Sequence, residues 1–283
     1  MTWTRQERPM EPAGSNIQNG CCTYPKAAGP CGGAIVMSRK KFAMAEAAIF
    51  SHERELELIR DFFGSSGGFF VDVGANDPKI DSQTWHFEQR GWTGILIEPQ
   101  PGLAQRLRQE RAAKVYAVAC STPADAGKSM TLHLAGIQSS LNPDFFVFRM
   151  RREGIIDVPV RTLDQVLVEA NAPAPLDFVS IDVESHEIDV LKGFDLKRWQ
   201  PKLLLVEDMV LNLRLHRYLQ ANGYKWVRRT AINSWYVPAS SPMKVSLFGR
   251  LQFVRKYFLG TPFRHMREAL RRARTRLNST RSR

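Results

Sequence analysis

Three stretches of the chain end an apolar run on an acid. They are Phe69-Phe70-Val71-Asp72-Val73-Gly74-Ala75-Asn76-Asp77, Ile95-Leu96-Ile97-Glu98-Pro99 and Phe178-Val179-Ser180-Ile181-Asp182-Val183-Glu184-Ser185-His186-Glu187. Runs rich in β-branched and aromatic residues suit strands buried on both faces, and Gly74-Ala75-Asn76 suits a tight turn into a helix. A turn that cradles a dinucleotide pyrophosphate needs Gly-x-Gly-x-x-Gly, whereas only Gly74 is present here. Asp72 would repel a phosphate and attract a ligand carrying an amino group and a sulfonium. The chemistry favours S-adenosylmethionine over NAD, although an ordinary buried strand with a polar turn uses the same residues. Glu98, 26 residues after Asp72, reaches the same sheet edge after one βαβ crossover and suits the two hydroxyls of an adenosine ribose.

Beyond the third run, Asp182, Glu184, His186 and Glu187 crowd into six positions. Such a group repels itself unless a cation, a metal or a hydrogen-bonded substrate sits there. Asp182 with Glu207 or Asp208 offers the oxygen ligands that magnesium prefers, so a divalent metal is admitted but not expected.

These acids are positioned by alternating strands and helices. A helix is expected from Phe42 or Ser51 to about Phe63, followed by the strand at Phe69. Helices over Ser82–Arg90, Leu103–Arg111 and Ile188–Leu191 separate strands at Trp92–Glu98, Lys114–Cys120 and Phe178–Asp182. Met130–Leu134 and Val158–Val160 read as short strands, and Thr162-Leu163-Asp164-Gln165 as a capping box. Lys202–Asp208 is a further strand with acids at its end. A helix over Asn212–Ala221 then leads to a closing pair at Tyr224–Val227 and Ser234–Val237. The alternation predicts an α/β fold with a mostly parallel central sheet and helices on both faces, finished by a closing pair of strands. Ser139 to Gly154, with Phe145 to Phe148 followed by Arg149, Arg151 and Arg152, reads either as a lid or as a packed surface helix.

The 283 residues suffice for one large core with extensions. Residues 1–41, rich in Pro, Gly, Asn and Ala, read as a disordered leader, 42–240 as the folded domain and 241–283 as a basic amphipathic tail. No apolar run reaches the roughly eighteen residues of a membrane span, and no secretory signal is evident at the N-terminus. The expected location is cytoplasmic, with peripheral attachment to the inner membrane face as an extension. Four cysteines, Cys21, Cys22, Cys31 and Cys120, give no disulfide framework. The net charge is +12, and from Lys244 onward twelve Lys and Arg stand against Glu268 alone, so the basic pI describes the tail rather than the core. Leu247, Phe248, Leu251, Phe253, Val254, Tyr257, Phe258, Leu259, Phe263, Met266, Leu270 and Leu277 interleave with those charges, a pattern suited to an anionic membrane face or to a helix packed on the domain. Nucleic acid is disfavoured, because no basic patch with stacking aromatics lies in the core.

Taken together, several pieces resemble the FkbM family of S-adenosylmethionine-dependent methyltransferases over roughly residues 50–237. They are Phe50-Ser51-His52 with Glu55, the Phe70–Asp77 stretch, Ile97-Glu98-Pro99, Val160-Arg161-Thr162-Leu163-Asp164, Ile181-Asp182-Val183-Glu184 through Val190–Gly193, and Leu205-Val206-Glu207. Ser185 departs from the family's usual glycine. The resemblance implies a Rossmann-like methyltransferase fold with an antiparallel closing strand, and methyl transfer to a hydroxyl oxygen, often on a sugar, glycan or secondary metabolite. Asp72, Gly74, Ala75 and Asn76, with Asp182, would hold the methionine side of the cofactor, and Glu98 the ribose. Such a transfer needs a base: His186 by its ordinary pKa, or Asp182 with Glu184 if His186 merely bonds a neighbour on the first helical turn. The alternative reading is a catalytically degenerate domain that serves as a binding protein through its tail.

Overall fold

The computed structural model describes residues 53–143, 153–209, 213–230, 232–267, 269 and 270. The leader and the segment from Phe145 to Arg152, read above as a lid or a helix, lie outside them. The strands are β1 (Phe69–Val73), β2 (Thr93–Ile97), β3 (Lys114–Tyr116), β4 (Ala119–Cys120), β5 (Ser129–Leu134), β6 (Gly154–Arg161), β7 (Phe178–Ile181), β8 (Leu203–Glu207), β9 (Tyr224–Thr230) and β10 (Asn233–Pro238). Seven of them form one sheet in the order β3-β2-β1-β7-β8-β10-β9. The first five of these run parallel, and the β9–β10 hairpin joins antiparallel. The fold is α/β and Rossmann-like, as expected from the alternation.

The strands nearest the centre carry the longest buried runs. Every residue of β7 and β8 is buried, as are the last four of β1 and of β2. That pattern requires cover on both faces. One face packs Val71, Ile95, Val179 and Leu204 against α4 (Leu163–Glu169), α5 (Glu187–Lys192) and α7 (Arg214–Ala221). The other packs Phe70, Leu96, Phe178 and Leu205 against Ile59 of α1 (residues 53–63), with Phe87, Trp92 and Trp235. Glu55 of α1 is fully buried and accepts from Gln83 Nε2 (2.9 Å), Asn233 Nδ2 (2.8 Å) and Thr230 Oγ1, tying the first helix to the closing hairpin.

Three local expectations shift. Lys114–Cys120 is two strands rather than one, because β2 ends at Ile97 ahead of Pro99 and leaves β3 no partner beyond Tyr116. The chain then enters a small sheet ordered β4-β6-β5. Val158–Val160 is the end of the longer β6, which pairs antiparallel with β5 along its length. The helix expected over Ser82–Arg90 shrinks to α2 (Trp85–Glu88), because Ser82 Oγ accepts from the Trp85 N–H and Thr84 is drawn to Asp72. The Thr162/Gln165 capping box forms as expected and opens α4.

Candidate cofactor and acceptor pocket

The carboxyl ends of β1, β2 and β7 meet around one cavity. Gly74, Asn76, Glu98, Asp182, Glu184 and His186 all line it. Its apolar walls come from Val73, Ile97 and Val118, and from Cys120 and Leu132 of the small sheet. The β4-β6-β5 sheet therefore supplies a wall to the site. Ser139 and Leu141 also line the cavity, and Ser140 Oγ donates to the Glu184 carbonyl at 2.5 Å.

The loop after β1 is held by backbone. The N–H groups of Gly74 and Ala75 both donate to the Ile97 carbonyl (2.9 and 3.1 Å), and the Asp182 N–H donates to the Val73 carbonyl at 2.9 Å. Gly74 has φ +89°, and a Cβ there would lie 1.8 Å from the Asp182 carbonyl oxygen. No other residue fits that position. Asn76 follows at φ +48°, and its N–H donates to Glu98 Oε2 at 3.0 Å. The Gln100 N–H donates to Glu98 Oε1 at 2.9 Å. Each oxygen of Glu98 thus holds one donor and keeps capacity for another. Burial pushes the Glu98 carboxyl up to about 7, against the pull of these two N–H groups.

Asp72 and Ala75 are buried and do not line the cavity. Asp72 accepts from Thr84 Oγ1 at 2.7 Å, and Thr84 Oγ1 in turn accepts from Arg111 Nη2 at 3.1 Å. Burial raises the Asp72 carboxyl, while Thr84 and the Arg111 charge oppose the rise. Arg111 also donates to the Pro78 carbonyl (3.0 Å) and pairs with Glu88 at 2.9 Å, both side chains being buried. Arg111 was read in the sequence only as a helix end; no local signal marks it as the support of the β1 loop.

On the opposite wall the acids crowd as their spacing suggests, with Glu207 added. Asp182, Glu184 and Glu207 each present an oxygen within 4.8 Å of the others. Burial comes first in raising all of them: Asp182 to about 6, Glu184 to about 8, and Glu207 well above its ordinary range. The Asp72 charge adds to the rise at Asp182, against its hydrogen bond with Glu207, while Glu187, itself raised to about 7, adds to the rises at Glu184 and Glu207. Asp208 does not join them. Its side chain turns to Arg229 (3.5 Å), Ser234 Oγ (3.2 Å) and Tyr257 OH, so of the two partners offered to Asp182 it is Glu207, with Glu184, that lies beside it. Glu184 and Ser185 sit at φ +53° and +78°. This turn explains why glycine is usual at the second position.

His186 stands at the N-cap position of α5, with its ring bonded on one side. Ser121 Oγ donates to Asp125 Oδ2 (2.8 Å) and lies 3.0 Å from His186 Nε2, so it accepts from an Nε2–H. Nδ1 lies 3.6 Å from Asp189. Burial lowers the His186 pKa, against the pull of the Asp189 and Asp125 charges.

A family model described as "Methyltransferase FkbM domain" matches residues 72–226. The chain belongs to the FkbM methyltransferase family. The match opens on Asp72 and closes on Trp226, enclosing the cavity and every acid around it. Among solved structures, an FkbM methyltransferase from Methylobacillus flagellatus KT is similar at 18% identity and a TM-score of 0.38, over 60% of this chain. This chain spans 43% of that one. A search of curated proteins finds no match.

Proposed function

We propose that this FkbM-family domain is an S-adenosylmethionine-dependent O-methyltransferase whose acceptor is a hydroxyl of a sugar, glycan or secondary metabolite. The observation that carries the reading is the convergence of Gly74, Asn76 and Glu98 on one side of a cavity with Asp182, Glu184 and His186 on the other. The chemistry of the walls fits the cofactor. Gly74 leaves a backbone-lined cradle that a Cβ would fill. Glu98 has spare acceptor capacity for ribose hydroxyls, and Asp182 presents negative charge where an amino group and a sulfonium gain from it. Asp72 acts from beneath, as charge and support for the loop.

S-adenosylmethionine, when bound, supplies an electrophilic methyl group on a sulfonium sulfur. The protein's part is to hold the acceptor in line and to take its proton. Asp182 and Glu184 suit this role as carboxylates that face the cavity, whereas His186, which also lines it, has its Nε2 bonded to Ser121. One of these carboxylates would take the hydroxyl proton as the acceptor oxygen takes the methyl group, with S-adenosylhomocysteine as the leaving group. His186 then positions the start of α5 and the β7 loop.

Asp182, Glu184 and Glu207 have the oxygen chemistry to hold a divalent cation, and such an ion would orient and acidify the acceptor hydroxyl. No step above depends on it. Turnover stimulated by magnesium and lost in Glu207→Gln would favour that second reading.

Calorimetry with S-adenosylmethionine tests the proposal first, with Glu98→Ala expected to lose binding. Release of S-adenosylhomocysteine in the presence of glycans and polyhydroxylated metabolites tests it second. Absence of cofactor binding in the unaltered protein rejects the reading. Cofactor binding without turnover on any hydroxyl acceptor restores the degenerate binding protein.

A further inference from the structure

The C-terminal segment contains α8 (Leu247–Phe253), a π-helical stretch (Val254–Leu259) and α9 (residues 261–267). Its inner face is docked firmly. Gln252 reproduces a strand pairing with the edge strand β9: its Oε1 accepts from the Arg229 N–H at 3.1 Å and its Nε2 donates to the Arg229 carbonyl at 2.9 Å. Tyr257 is 4% exposed and its hydroxyl donates to Asp208, one residue from Glu207. Gly249 is buried, and a Cβ there would meet the Val227 carbonyl at 3.1 Å, so glycine lets α8 lie close to β9. Phe253 and Tyr257 therefore face the domain.

The outer face is apolar and uncovered. Leu247, Leu251, Val254 and Phe258 are 79%, 69%, 48% and 56% exposed, at spacings of four, three and four residues. Continued at α-helical spacing, that stripe would pass through Pro262 and His265. The apolar residues instead fall one position later, at Leu259, Phe263, Met266 and Leu270, all exposed. The π-helical stretch between the two sets accounts for the shift. Its Gly260 N–H donates back five residues to the Arg255 carbonyl at 2.8 Å, which inserts one residue into the turn. The inserted residue keeps both halves of the stripe on one side of the rod. A solvated helix gains nothing from that phasing, and a single continuous surface does.

Arg250, Arg255, His265 and Arg267 are exposed beside the stripe, and a run of arginines follows in the sequence. Two copies packed stripe to stripe would bring these cations together with only Glu268 to offset them. An anionic lipid surface complements both the apolar stripe and its basic flanks.

We propose that the outer face of residues 247–270, phased by the π-helical stretch, docks this protein on an anionic membrane surface. The inference stands apart from the methyl-transfer reading. It is tested with the full-length protein by co-sedimentation with phosphatidylcholine vesicles, with and without phosphatidylglycerol, at low salt. Binding is expected only to vesicles containing phosphatidylglycerol. Phe258→Ser with Phe263→Ser should lower partitioning by at least about tenfold. Arg250→Gln and Arg255→Gln, which leave the apolar stripe intact, should lower it by about fivefold each. S-adenosylmethionine binding and thermal unfolding of these variants, measured in solution, report whether the domain is intact. No binding to anionic vesicles overturns the proposal. So does binding insensitive to the phenylalanine pair, which would assign adhesion to the terminal arginines alone. A concentration-dependent dimer abolished by Phe258→Ser would make a second copy the occupant instead.

Discussion

Gly74 and Asp182 meet backbone to backbone, with the position of a Gly74 Cβ only 1.8 Å from the Asp182 carbonyl oxygen. This contact locks the loops after β1 and β7 together and sets the distance between the two walls of the cavity. Gly74→Ala must either push the loops apart or leave the φ of +89°. The expected cost is roughly 2–4 kcal/mol of stability, with loss of S-adenosylmethionine binding. Urea unfolding and calorimetry on the same sample measure both.

Ser185 occupies φ +78°, a region where an L side chain costs about 1–2 kcal/mol. None of the described hydrogen bonds of Ser185 uses its side chain; its N–H donates to Glu187 Oε1 at 2.9 Å. Part of the gain from glycine is offset by the greater freedom of the unfolded chain. Ser185→Gly should therefore stabilise the protein by about 0.5–1 kcal/mol, read as a rise in melting temperature of roughly 1–4 °C.

The crowded acids fix the sign of the pH dependence. Asp182, Glu187 and Glu184 titrate in the fold near 6, 7 and 8, all above their values in an unfolded chain. Between about pH 4.5 and 8 the folded state therefore binds more protons than the unfolded state, and stability falls as pH rises. The melting temperature should decline across this range. Glu207→Gln, which removes one charge from the cluster, should flatten the decline and leave the value at pH 5 nearly unchanged.

Arg111 and Glu88 form a buried pair beneath the β1 loop, and Arg111 also reaches Pro78 and Thr84. Removing the cation leaves the buried Glu88 carboxylate with the Ala112 N–H (2.6 Å) but no opposite charge from Arg111. Arg111→Ala is expected to cost roughly 3–5 kcal/mol in denaturant unfolding. Arg111→Ala with Glu88→Ala should recover part of that loss.

The assignment of the base separates two neighbours. Asp182→Asn or Glu184→Gln should lower kcat by about 100-fold or more, the scale of general-base catalysis. His186→Gln keeps a side chain able to bond Ser121 and should cost less than about tenfold. Equal losses at all three positions would return His186 to the list of bases. Stopped assays over pH 6–9 with the same acceptor give the comparison.

The sequence by itself determined the central strands, their mostly parallel sense and the edge on which Asp72, Glu98 and Asp182 stand, because buried runs ending in acids are written locally. It also placed the capping box at Thr162 and the twelve cations of the tail against Glu268. It could not decide which side chains turn into the cavity. Asp72 and Asp208 read as equivalent to Glu98 and Glu207, yet Asp72 is taken by Thr84, and Asp208 by Arg229, Ser234 and Tyr257. Those partners lie 12 to 49 residues away along the chain, so no local pattern announces them. The same holds for His186, whose ring is committed by Ser121, 65 residues away. The outward face of the C-terminal helix was equally hidden, because its stripe changes phase at Phe258. Only the π-helical turn, formed where Tyr257 docks on the sheet, brings the two halves back to one side.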